Sequence, residues 1–535
     1  MESSSALIDY RQTGYFSKMV TDYLAADEKL QPFYKHPVSV EGIKAAIGER
    51  RQFDTDRKLL VEQLLVQYAG MEVADAVKTN INSLLNENTF TVCTAHQPNI
   101  FTGHLYFIYK ILHAVKLSAA LHQQIPGCNF IPVYYMGSED ADLDELGHIY
   151  LNGDKLQWNT QQTGAVGRMI VDKDLVRIIE TISGQLTVHP FGDEIVSLMS
   201  SCYKEGVTVE MATFRLVNEL FAAFGLVILL PDNALLKKAF IPVIEKELTE
   251  EFSYPVVQET VSRFPSEYKV QPTGRQLNMF YLTGDKRERI EKSGGEWLVL
   301  NSDLQFSKKE LISELQQHPE RFSPNVILRP VFQEFILPNV LFIGGGGEIA
   351  YWLQLKNVFG AVKVPYPVLV LRNSFMLIDK NQQHIIKKWN LGFTTLFKSE
   401  LDIMNELVKR DCTIQLNLDN EKEELNKIYD RLKTIAGLAD STLQHHTEAL
   451  QTKALKRIAV LEKKMMGAER KKRKAEENQL HKLKTQLFPN NNLQERVENV
   501  MPLYAKWGKS FFETLYSNSL NLEQQFTILS EIDRH

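Results

Sequence analysis

The sequence is poor in cysteine. Its 535 residues hold four, Cys93, Cys128, Cys202 and Cys412, scattered and without a CxxC pair. That spacing excludes a disulfide framework and a cysteine-based structural zinc site. Cys93 and Cys128 fall in or beside apolar runs and are expected to pack in the core. No apolar stretch reaches the roughly 20 residues that a membrane span needs. The first residues lack the basic segment and apolar run of a secretory signal. Charge of neither sign dominates: 61 Lys and Arg face 66 Asp and Glu, a net charge of −5. No basic field favours nucleic acid or a membrane surface. No GxxxxGK[ST] string occurs, so a Walker P-loop is excluded. These absences predict a cytoplasmic protein with neither nucleic acid nor membrane as a partner. What is present, 44% hydrophobic and 24% charged residues, suffices for a sizeable core.

Periodicity divides the chain. Residues 1–88 read as helical, with apolar residues at helical spacing at Val40, Ile43, Ala46 and Ile47, and again at Leu60, Val61, Leu64 and Leu65. A short β-rich run at 89–94 is followed by a turn and a helix over 104–121. An apolar strand then covers 130–136. Strand, helix and strand in so few residues predict a βαβ unit, hence a parallel sheet with a right-handed crossover. Further strands are expected at 225–230, 341–344 and 368–371. The fold class is therefore α/β, with a core over 89–380 interrupted by insertions at about 152–225 and 250–325. A connecting segment covers 381–415. Over 416–488 proline is absent, and Leu425, Ile428, Leu432, Ile435, Ala439 and Thr442 step by three and four, as do Leu455, Ile458, Leu461 and Met465. That pattern predicts a coiled coil or helical hairpin, with a break near Gln444. Such a seam must bury its stripe, which implies a homodimer. Residues 463–474 are strongly basic, which fits a solvated helix face or, alternatively, attraction for phosphate. Residues 489–535 are expected to return to the body as helices.

Three motifs carry the chemistry, and all would lie at the carboxyl edge of the sheet, where such folds bind ligands. In the first, His96 and His104 flank a strand-to-helix turn. A helix N-terminus favours phosphate, and the histidines could donate to charge that develops in a transition state. Gln97, Thr102, Gly103, Tyr106 and Lys110 share that turn and helix as candidate substrate or nucleotide contacts. In the second, Glu139, Asp140, Asp142, Asp144 and Glu145 put five acids in seven positions. Such crowding calls for a cation, an amine or magnesium, or else for a helix N-terminus that the acids stabilise. Asp142 and Asp144 fit the latter well. The third motif is Gly344, Gly345, Gly346, Gly347 and Glu348. It lets backbone approach a ligand and permits positive φ, with Tyr351 and Trp352 on the next helical turn as pocket wall. Arg372, after the last core strand, is a candidate cation for phosphate. His96, His104, Glu139 and Asp140 are the candidate catalytic residues. No metal-ligand set is assigned.

The strings Ala95-His96-Gln97-Pro98 with 101–106, Pro132 to Met136 with Glu139 to Asp142, and Ile343 to Leu353 together resemble the bacillithiol biosynthesis cysteine-adding enzymes, the BshC family. The resemblance extends over most of the chain. It implies a Rossmann-like core related to class I synthetases and nucleotidylyltransferases, with connecting insertions and a dimerising C-terminal coiled coil. It also implies a ligase that adds L-cysteine to glucosaminyl-malate through an amide bond. ATP is the expected activating cosubstrate, with magnesium as its companion. Neither a clean HxGH nor a clean KMSKS string is present. Two other readings stay open at this point: a nucleotide-binding coiled-coil scaffold without activity, and a transferase that takes a preactivated cysteine.

Overall fold

A computed structural model describes residues 3–270 and 274–531. Five fully parallel strands form the central sheet. Their spatial order is Val368–Leu371, Asn339–Gly344, Thr89–His96, Asn129–Met136 and Val227–Leu229. Cys93 lies opposite Val133 and His96 opposite Met136. The strands are buried almost throughout, as strands of a parallel sheet covered on both faces must be. Cys93 and Cys128 are buried, as expected. Helix Leu105–Gln124 forms the first crossover. Its apolar residues recur on nearly every face, because it is covered all round. Strand order reverses between Thr89–His96 and Asn339–Gly344. That switch point is where the loops of an open α/β sheet part and leave a crevice.

The insertion at about 152–225 is helical, with Lys173–Leu186, Gly192–Cys202 and Val209–Phe221. The second insertion builds more than short strands. Gln305–Phe306, Glu296–Val299, Lys286–Ser293, Met279–Thr283 and Phe322–Pro324 form an antiparallel sheet in that order.

Both ends of the chain differ from the helical reading. Ser3–Ile8 is a strand, paired antiparallel with Phe526–Glu531. The latter also neighbours Phe375–Ile378. Local periodicity carries no sign of such a pairing, because each strand is defined by a partner more than 500 residues away in sequence. Residues 1–88 are accordingly no separate region. Residues 1–377 and 492–535 make one compact unit, and 378–491 make the other.

The second unit is helical. It includes Lys380–Lys388 and Glu400–Asp411, which the sequence reading left as a connector. Asp419–Ala439 and Leu443–Lys471 form an antiparallel hairpin. Lys422 pairs with Glu462 at 2.6 Å, and Gln451 donates to Asn426 at 2.8 Å. The turn is closed by Asp440, whose carboxylate accepts from the backbone and hydroxyl of Thr442. The predicted stripe residues Ile428, Leu432 and Ile435 are 44, 45 and 64% exposed, so this stripe is not the hairpin's own seam. In the basic run, Lys472, Arg473 and Lys474 are paired with Glu469, Asp411 and Glu477.

Candidate active site

A cavity of about 540 Å³ opens at the switch point. It is lined by the ends of all five parallel strands and by residues of the antiparallel insertion sheet. The volume falls within the range of about 300–1,000 Å³ typical of small-molecule sites.

His96 ends the central strand and is 7% exposed. Its ring packs beside Tyr106 and Phe107 at 5.3 and 5.1 Å, and its Nε2 has no hydrogen-bond partner. Burial, then the nearby Lys110 ammonium, holds its pKa well below the usual histidine value. The ring is neutral at physiological pH. Lys110 is buried on the crossover helix, donates to Ala95 O at 2.8 Å and pairs with Glu348. Glu348 also accepts from the Gly345 backbone at 2.8 Å, closing the start of helix Gly346–Trp352. Arg372 lies 5.1 Å from the Tyr106 ring centre.

The acidic motif divides into separate tasks. Glu139 pairs with Lys237, which also holds Asp232 at 3.0 Å. Arg168 grips the same Asp232 through two nitrogens, at 2.6 and 2.9 Å. Asp142 caps helix Leu143–Leu146 by accepting from Glu145 N at 3.0 Å. Asp140 faces the cavity, forms no ion pair among the described residues and is oriented by Gln97 Nε2 at 3.0 Å. With Glu145, which also lines the cavity and forms no ion pair among the described residues, it is left for a cationic ligand.

Of the residues proposed from sequence, His96, Gln97, Tyr106, Lys110, Glu139, Asp140, Gly345, Gly346, Gly347, Glu348, Tyr351 and Arg372 line the cavity. Thr102, Gly103, His104, Asp142, Gly344 and Trp352 do not. His104 Nδ1 bonds to Val497 O at 3.1 Å, and Leu105 N donates to Glu498 O at 2.8 Å. Backbone from 497–498 thus occupies the helix N-terminus that was expected to take phosphate. Gly103 has a structural duty, with φ of 61° and a Cβ position only 2.7 Å from Asn99 Cβ. None of Gly344 to Gly347 has positive φ. Gly344 is needed because a Cβ would meet the Phe342 ring at 2.8 Å. Trp352 is core, stacked on Phe342 at 4.2 Å.

Sequence reasoning missed three guanidiniums of the lining, those of Arg287, Arg329 and Arg496. None forms an ion pair with a carboxylate among the described residues. Arg287 donates to Ser323 Oγ at 3.1 Å, and Arg329 donates to Tyr351 Oη at 2.9 Å. Cations in a low-dielectric cleft with no anion of their own are arranged to receive one. Among the described residues no group of three or more His, Cys, Asp or Glu is placed to hold a metal ion.

Behind the Glu139 network, burial and then the neighbouring acids Asp232 and Glu139 push Glu210 up to about 7, against its hydrogen bonding and Arg168. An acid raised on folding contributes stability that is complete below its unfolded value, near 4.5, and is lost as pH rises through about 7. Glu210→Gln is therefore expected to be more stable than the parent at pH 8 by about 2–3 kcal/mol, with little difference at pH 4.5. Urea unfolding at the two pH values measures this, and an unchanged pH slope would remove Glu210 as its source.

A five-stranded parallel sheet with a polar, cation-rich cavity at its switch point defines a Rossmann-like ligand-binding protein. Comparison with known proteins narrows the class. Residues 4–373 match the family model for the bacillithiol biosynthesis BshC N-terminal Rossmann-like domain, and residues 375–531 match that for the BshC C-terminal coiled-coil domain. The chain belongs to the BshC family. A relative from Flavobacterium johnsoniae, named "Putative cysteine ligase BshC", is 37% identical over 98% of this chain and 99% of that protein. Proteins of the same name from Cytophaga hutchinsonii and Bacillus cytotoxicus are 38% and 26% identical, over 96% and 94% of this chain and 96% of each of those proteins. No helix among the described residues is long and apolar enough to cross a membrane.

Proposed function

We propose that this protein is an ATP-dependent ligase that joins the carboxyl group of L-cysteine to the amine of glucosaminyl-malate. The observation that carries the reading is the cavity's charge pattern. Three guanidiniums without an ion pair among the described residues, and the paired Lys110 and Arg372, face two carboxylates without one, Asp140 and Glu145. The substrates have the complementary set: phosphates and carboxylates for the cations, an ammonium for Asp140. A free carboxylate is a poor acyl donor, and ATP supplies the activation it lacks. Lys110, Arg287 and Arg329 would hold oxyanions and offset negative charge as the acyl group transfers. Asp140 would hold the amine. The neutral His96 can accept the proton that an ammonium loses before it attacks. Magnesium would enter with the nucleotide. Family membership supports the cysteine-ligase part of this reading.

The test is mass spectrometry of the purified chain with ATP, magnesium, L-cysteine and glucosaminyl-malate. The expected result is bacillithiol with AMP or ADP in equal amount. Product only after cell extract is added would favour a preactivated donor, and no turnover in either condition would favour a scaffold.

We also propose that the protein is a homodimer through the helical unit. The exposed stripe of Ile428, Leu432 and Ile435 supports this, since half-exposed branched residues at heptad spacing call for a partner helix. Leu432→Asp with Ile435→Asp is expected to convert dimer to monomer in sedimentation velocity. A wild-type monomer at micromolar concentration would refute it.

A further inference from the structure

We infer that the segment 493–499 completes the anion site, with Arg496 binding a substrate oxyanion and Glu495 positioning Arg372. This rests on the ligase reading above, where Arg496 counts only as one of three guanidiniums and Glu495 has no part. Glu495 is fully buried and accepts from Arg372 Nη2 at 2.7 Å and Ser374 Oγ at 3.2 Å. Arg372 Nη1 donates to Asn373 O and Ser374 Oγ, each at 3.0 Å. Both terminal nitrogens of the guanidinium are thereby engaged. Its Nε–H is left buried and without a partner, about one carbon contact from Gly345, where an added Cβ would lie 3.7 Å away. A buried donor without an acceptor is costly, and here it sits on the wall of the cavity.

Arg496 is the next residue after Glu495 and lines the same cavity. It forms no ion pair of its own among the described residues. Two guanidiniums therefore share one carboxylate, and a positive charge remains uncompensated. An incoming oxyanion relieves that excess. The segment is held rigidly enough to aim the side chain. Asn499 Nδ2 donates to Phe101 O at 2.9 Å and to Gly103 O at 2.5 Å, and Leu105 N donates to Glu498 O. The part of the turn at Phe101 and Gly103, which does not line the cavity, thus serves as the anchor for Arg496. The ligand chemistry is a carboxylate or phosphate oxyanion, from the malate arm of the acceptor or from the nucleotide.

The test is calorimetric binding to the full-length protein of two probes, ATP with magnesium and L-malate, with steady-state turnover alongside. Arg496→Gln is expected to weaken at least one probe by about tenfold or more, roughly the 1.4 kcal/mol of one charge-assisted contact. The probe that weakens names the source of the oxyanion. Glu495→Gln is expected to weaken the same probe and to raise KM with kcat within about twofold, while Glu495→Asp restores part of the affinity. Should Glu495→Gln fail to fold, Arg496→Gln decides alone, because Arg496 is exposed and lines the cavity. Both probes binding Arg496→Gln within about twofold of wild type would overturn this inference and leave the ligase reading standing. A wild-type protein that binds neither probe would overturn both.

Discussion

His96→Ala lowers product formation by about 10²–10⁴-fold, the range of a lost general acid–base group, in a protein that remains folded. His96 is the last residue of the central strand, where its backbone is held opposite Met136 of the neighbouring strand, while the strand on the other side pairs only as far as Thr94. Its ring is clamped by Tyr106 and Phe107 from the crossover helix. That leaves a buried Nε2 with no partner at the cavity wall. Nothing in the fold uses this nitrogen, so its removal costs little beyond packing. The depressed pKa sets the sign of the pH dependence. His96 is already neutral throughout the usual histidine range, so its titration adds no limb to the rate profile between about pH 6 and 8. Rates of product formation by mass spectrometry, with thermal unfolding of the same sample, measure both halves. Full turnover by the variant would take His96 out of the mechanism.

Arg50→Met gives the largest loss of stability, about 3–5 kcal/mol, the usual consequence of stripping one partner from a buried ion pair. Arg50 closes helix Val40–Arg50 and is 2% exposed. It donates to Asn339 O at 2.8 Å, to Glu334 O at 2.7 Å and to Glu334 Oε2 at 3.0 Å. The pair ties the N-terminal helices to the start of strand Asn339–Gly344, at the sheet edge away from the cavity. Burial pushes Glu334 up to about 7 and Arg50 down to about 10. Both partners move toward their neutral forms, so desolvation outweighs their attraction. The loss in the variant therefore comes from a stranded carboxylate rather than from a strong bond. Arg50→Met with Glu334→Gln is accordingly expected to regain about half of it. Urea denaturation of the single and double variants tests the point. A single-variant loss under about 1 kcal/mol would show that Glu334 needs no cation.

The parts of the site that can be read in sequence are the ones joined to a strand end. His96, Gln97, Asp140 and Glu348 sit within a few residues of an apolar run, and the parallel sheet brings such ends together by construction. Arg287, Arg329 and Arg496 come from an insertion hairpin, a helix start and a segment after the helical unit. Nothing local distinguishes them from surface arginines. His104 was misplaced for a related reason. The helix N-terminus that it begins is a real source of unpaired donors, but residues almost 400 positions later in sequence fill it. The five acids illustrate the opposite error, since one motif split into a buried ion pair at Glu139, a helix cap at Asp142 and cavity-lining carboxylates at Asp140 and Glu145.

The order of synthesis follows from where the helical unit is inserted. Phe526–Glu531 lies between Ser3–Ile8 and Phe375–Ile378, and 493–499 supplies the partners of Arg372 and of the crossover helix. On the ribosome the whole helical unit of 378–491 emerges before either segment. The nascent first unit must wait with an unpaired strand at Ser3–Ile8 and an unneutralised buried arginine while more than a hundred residues are added. A chain stalled or cleaved in the hairpin would thus lack a finished catalytic unit, although every residue of the parallel sheet had already been made.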